Sequence, residues 1–76
     1  MNFVNEGPNY QKGKHAYDIN LVDALTGEKI ALYIGYYNSK TKKVKLYPYY
    51  LTDYGKLKGY KMEVKTVNAS QIKNFE

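Results

Sequence analysis

A chain of 76 residues with ten tyrosines, twelve lysines and no arginine, tryptophan or cysteine has room for one small core, which neither a disulfide nor a thiolate-held metal can reinforce. Its formal charge of +5 favours phosphates or acidic protein surfaces as partners. The longest apolar stretch, Ile30 to Tyr37, is too short to cross a bilayer, and Met1 to Pro8 lacks the basic start and long apolar run of a secretion signal; the expectation is a cytoplasmic protein with no membrane partner.

Residues 1–14 carry Gly7-Pro8 and Gly13 without a sustained period and read as an irregular arm, leaving 15–76 as one small β domain. His15 to Val22 is the first strand, because Tyr17, Ile19 and Leu21 fall on one side and Asp18 and Asn20 on the other. Asp23 to Glu28 supplies a turn around Gly27. Lys29 to Tyr37 alternates most clearly: Ile30, Leu32, Ile34 and Tyr36 share one face, Ala31, Tyr33, Gly35 and Tyr37 the other. The aliphatic set predicts the core face, which would leave Tyr33 and Tyr37 outside.

Asn38 to Lys43 is a basic loop joining this strand to Val44 to Leu51 in a hairpin. Pro48 cannot donate to a ladder and marks an edge or a bulge, beyond which the alternation can switch faces. Thr52 to Gly59, with two glycines, reads as a loop. Tyr60 to Val67 is a fourth strand in which Met62 and Val64 alternate with Lys61, Glu63 and Lys65. Asn68 to Ile72 reads as an asparagine-capped helical turn, and Lys73 to Glu76 as a short closing strand or helix end.

The predicted fold is mainly β: a small antiparallel five-stranded SH3-like barrel or strongly bent sheet, with one short helical turn near the C-terminus. In order and length these elements resemble the SH3-like and Sm-like small barrels. From Ile30 to Glu76 the chain also resembles part of a WYL domain: Tyr49-Tyr50-Leu51 stands where that family carries Trp-Tyr-Leu, and Asn68 to Glu76 is similar to its closing segment. The family's arginines and tryptophan are missing here, so its ligand sensing is not carried over.

Catalytic residue types are sparse. His15 is the single histidine, Asp18 and Asp23 stand five positions apart across a strand end, and Asp53 has no carboxylate near it. Acid–base work and metal binding both need several such groups converging on one place, and Gly55 and Gly59 form no phosphate loop. The expectation is a non-enzymatic protein without a cofactor or metal.

Charge is uneven. Residues 1–38 hold three lysines and four acids, residues 39–76 nine lysines and three acids. Tyr33, Tyr37, Lys45, Tyr47, Tyr49, Lys61 and Lys65 are the candidate binding residues, placed together on the outer face of the central hairpin and fourth strand. Bases stack on aromatic faces while lysines neutralise phosphates, so the expected ligand is single-stranded nucleic acid, bound with little sequence preference. Without arginine, guanine reading in a duplex is not expected. Tyr54, Tyr60, Lys56 and Lys58 form a candidate second contact. The plainer account is that tyrosine suits a half-exposed sheet and lysine keeps it soluble. An alternative function is a small protein-binding regulator or inhibitor, of phage or plasmid origin in a low-GC bacterium, docking on an acidic partner. A homodimer through the proline-marked strand edge is a further expectation.

Overall fold

The computed structural model describes residues 1–75; Glu76, at the end of the predicted closing segment, lies outside them. The elements in chain order are β1 (Asn2–Pro8), β2 (Ala16–Val22), β3 (Lys29–Asn38), β4 (Lys43–Leu51), α1 (Asp53–Leu57), β5 (Lys65–Asn68), a 3-10 turn (Ala69–Gln71) and β6 (Ile72–Lys73). All six strands form one sheet in the order β5-β4-β3-β2-β1-β6, curled into a half-barrel. The bent, mainly β architecture read from the sequence is present, with six strands instead of five.

The sixth strand is β1, in the stretch expected to be an irregular arm. It pairs antiparallel with β2 and parallel with β6. Its alternation is hidden because Asn5, Glu6 and Gly7 interrupt the apolar positions, and a register shift falls between Asn5 and Gly7. The two edge strands, β5 and β6, follow one another in the chain, joined by the 3-10 turn. That turn is held by the Gln71 side chain accepting from the Asn68 backbone N–H (3.0 Å) and by the Ala69 N–H donating to the Lys42 carbonyl (3.0 Å).

Two further expectations are corrected. The predicted loop Thr52 to Gly59 contains α1, begun by the Thr52 hydroxyl, which accepts from the Gly55 N–H (3.0 Å) and donates towards the Lys29 and Ile30 carbonyls (2.7 and 2.8 Å). Threonine is a good N-cap, and the two carbonyls tie the helix start to β3. A side chain at Gly55 would collide with the Ile30 carbonyl oxygen, which is why glycine sits inside this short helix. The predicted fourth strand shrinks to Lys65–Asn68; residues 60–64 run without strand pairing, with Tyr60 and Met62 packed against the core and Val64 exposed.

The largest correction concerns the faces of β3. Residues paired across an antiparallel ladder lie on the same side of the sheet, and β2 sets that side: Tyr17 pairs with Gly35, Ile19 with Tyr33 and Leu21 with Ala31. Ile19 and Leu21 are buried, so Tyr33 is drawn inward and is fully buried. Across β4, Gly35 faces Leu46 and Tyr37 faces Val44. A β-carbon at Gly35 would stand 2.8 Å from Val44 Cγ1 and 2.9 Å from Ile19 Cγ1, closer than atoms pack, so the concave core fills the space where a side chain would be. Leu32, Ile34 and Tyr36, expected inside, therefore lie on the convex side. Ile30 alone of that set joins the core, because a register shift between Leu21 and Val22 leaves it as the extra residue beside Ala31.

The concave core consists of Ile19, Leu21, Ile30, Ala31, Tyr33, Val44, Leu46 and Ile72, flanked by Phe3, Leu51, Tyr54, Tyr60, Met62, Val67 and Phe75. Pro48 does mark a bulge: Tyr33 pairs with Pro48 and Leu32 with Tyr50, leaving Tyr49 unmatched. The alternation switches there, so both Tyr47 and Tyr50 stand on the convex side. Among the described residues no helix is long and apolar enough to cross a membrane.

Candidate nucleic-acid interface

The convex face of β3 and β4 carries four solvent-reaching phenol rings: Tyr36 (37% exposed), Tyr47 (39%), Tyr49 (57%) and Tyr50 (57%). The positions of Tyr36, Tyr47 and Tyr50 follow from the register, since Tyr36 pairs with Lys45, Ile34 with Tyr47 and Leu32 with Tyr50; Tyr49, unmatched at the bulge, is placed by its contact with Lys12. Tyr36 and Tyr47 meet edge to face, with centroids 5.7 Å apart and planes at 79°, the arrangement their ring quadrupoles favour. Beneath them lies Ile34, only 5% exposed.

Two ammonium groups stand over these rings. Lys45 Nζ is 5.4 Å from the Tyr47 centroid, and Lys12 Nζ is 5.2 Å from that of Tyr49. Lys12 arrives from the β1–β2 connection, which folds back over the sheet. The Tyr36 hydroxyl donates to the Lys12 carbonyl (3.0 Å), and a β-carbon at Gly13, whose φ is +143°, would lie 3.4 Å from the edge of the Tyr36 ring. Lys43 shares the face two residues before Lys45. The nearby acid, Asp18, accepts a hydrogen bond from the Asn9 amide (2.9 Å). Lys12, Ile34, Tyr36, Lys45 and Tyr47 together line an open depression of about 520 Å³.

The structure divides the residues singled out from the sequence. Lys45, Tyr47 and Tyr49 are on this convex strip. Tyr33 is in the core, its hydroxyl 2.6 Å from that of Tyr60; burial first, and the Tyr60 hydroxyl second, push its phenol far above the usual tyrosine range. Tyr37 is half-buried, its ring 5.2 Å from that of Phe75. Lys65 pairs opposite Leu46 and places its ammonium 5.8 Å from the Tyr60 ring. Lys61 lines a separate cleft with Tyr60, Lys58 and Asp23. Thus Tyr33, Tyr37, Lys61 and Lys65 do not form one surface with the other three.

In the candidate second contact the Tyr54 and Tyr60 hydroxyls are held by internal bonds, while Lys56 and Lys58 remain largely exposed. The Tyr54 hydroxyl donates to Asp23 (2.6 Å), Lys58 stands 3.9 Å from the same carboxylate, and Lys56 stands 3.9 Å from Asp53. Asp23 is held below the usual carboxylate range, chiefly by the Tyr54 hydroxyl and then by the Leu25 N–H. This cluster pins the β2–β3 turn to α1.

Sequence reasoning missed Lys12, Ile34, Tyr36 and Tyr50. Tyr50 was within reach, because the face switch at Pro48 carries it outward. Lys12 was not, since nothing local says that its loop folds over the sheet. No group of three or more histidine, cysteine, aspartate or glutamate side chains among the described residues is placed to hold a metal ion. No protein-family model, curated protein or solved structure matches this chain.

Proposed function

We propose that this protein binds single-stranded nucleic acid through its convex face, with little sequence preference, as a binding module and not an enzyme. The observation that carries the proposal is the continuous strip of Tyr36, Tyr47, Tyr49 and Tyr50 with the ammonium groups of Lys12 and Lys45 lying over two of the rings. An exposed cation–π contact contributes about 0.5–1 kcal/mol, whereas a stacked base contributes about 1–3 kcal/mol. A base can therefore displace an ammonium from a ring face, and the freed lysine meets the phosphate beside that base. The absence of arginine removes the bidentate fork that reads guanine in a duplex, which favours a backbone-driven, base-stacking mode.

The test is a fluorescence titration of a labelled oligothymidylate at low salt and at rising salt. Binding should weaken with a logarithmic slope of about 0.7 for each phosphate contacted, hence about 2 when Lys12, Lys43 and Lys45 each take one. Undetectable affinity at low salt sinks the reading. A stoichiometric complex with an acidic protein that survives nuclease treatment would replace it with the protein-docking alternative.

A further inference from the structure

We infer that the depression at Tyr36 and Tyr47 is a single-nucleotide subsite, seating one base in the corner of the two rings above Ile34 with its phosphates held by Lys12 and Lys45; this rests on the nucleic-acid reading above. The depression differs from the rest of the strip. Tyr49 and Tyr50 protrude, each 57% exposed, and act as single platforms, Tyr49 with the Lys12 ammonium over its ring. Tyr36 and Tyr47 instead stand at 79° to one another over an aliphatic floor that is 5% exposed. A flat ring laid against one of them presents its edge to the other, which fixes its orientation in a way that a single platform does not.

The corner is held before any ligand arrives. The Tyr36 hydroxyl is anchored on the Lys12 carbonyl, its ring edge runs beside Gly13, and Ile34 is fixed in the ladder between Asp18 and Tyr47. Preorganisation of this kind lowers the ordering cost of binding.

Charge selects the class of occupant. Perpendicular tyrosines can also cage a quaternary ammonium, but here Lys12 and Lys45 line the same depression and would repel it. Asp18, paired with Ile34 in the ladder, accepts from the Asn9 amide and does not line the depression, so the two ammonium groups set its charge. What fits is a planar group carrying negative charge at its margin, which is the description of a nucleotide.

Heteronuclear NMR titrations with adenosine 5′-monophosphate and with oligothymidylate distinguish the subsite from the wider face. Both ligands should shift the Ile34 methyl and the Tyr36 and Tyr47 ring signals. Tyr50→Ala should weaken oligothymidylate several-fold and leave the mononucleotide unchanged, whereas Lys12→Gln and Lys45→Gln should each weaken the mononucleotide several-fold while the spectrum of the free protein stays folded. If oligothymidylate binds and moves Tyr49 and Tyr50 but not Ile34, the subsite is wrong and the nucleic-acid reading stands. If oligothymidylate does not bind, both fall together.

Discussion

Leu46 and Tyr47 are adjacent in β4 and face opposite worlds. Leu46 is fully buried with Val44 and Tyr33 in the concave core; Tyr47 stands on the convex side with its ring against Tyr36 and a lysine above it. The same division separates Tyr33 from Tyr36, three residues apart in β3. On the concave side a hydroxyl must find a protein partner, and Tyr33 finds Tyr60; on the convex side the rings of Tyr36, Tyr47, Tyr49 and Tyr50 reach solvent, with lysine ammonium groups lying over two of them. Under the proposed function stability rests on one face and recognition on the other, and substitutions can test whether the two are separable.

The strongest contrast sets Leu46→Ala against Tyr47→Ala. Emptying the Leu46 site should cost about 2–5 kcal/mol in urea unfolding, a large share of the stability expected of so small a chain. Tyr47→Ala should cost less stability than Leu46→Ala, about 0.5–1.5 kcal/mol through the lost ring pair, yet weaken oligothymidylate binding by about 5- to 150-fold. A Tyr47→Ala variant that unfolds as readily as Leu46→Ala while binding normally would dissolve the division.

Gly35→Ala is next. The added methyl meets Val44 and Ile19 within 3 Å, and overpacking of this kind costs about 1–3 kcal/mol. An equally stable Gly35→Ala protein would mean that the concave face is looser than described.

A smaller effect concerns the buried phenol. Tyr33→Phe should cost about 1 kcal/mol at neutral pH through the lost bond to Tyr60. Because burial raises the Tyr33 phenol in the folded state, its contribution is complete below the ordinary tyrosine value of about 10 and is lost as pH rises above it. The difference in unfolding free energy between the parent protein and Tyr33→Phe should therefore shrink above about pH 10.

The smallest effect belongs to the turn cluster. Tyr54→Phe should raise the Asp23 carboxyl towards its ordinary value, as followed by NMR titration. A depressed carboxyl contributes stability that is present above about pH 4 and is lost as pH falls through its folded value. The parent protein should lose more stability on acidification than Tyr54→Phe does.

Part of this was legible in the sequence. The inward set of β2, Ile19 and Leu21, stands out because Asp18 and Asn20 punctuate it. The hairpin of β3 and β4, the bulge at Pro48 and the asparagine-started turn at Asn68 each carry a local signal that the structure retains. In β3 the signal fails, because apolar or aromatic residues occupy both faces from Ile30 to Tyr37 and tyrosine suits either side. The Thr52 cap of α1 was equally visible in kind, but Gly55 and Gly59 masked it.

What the chain alone determined is the period of its strands, the places where they turn and the excess of lysine, since these rest on neighbouring side chains and backbone preferences. Which phenols are hidden and which reach solvent was decided only when β2 docked on β3. A ladder offset by one residue exchanges the two faces, and that offset is set by contacts between segments far apart in the chain. Lys12 reaches the convex strip for the same reason: its loop is placed by the pairing of β1 with β2, and no feature within the loop itself specifies that position.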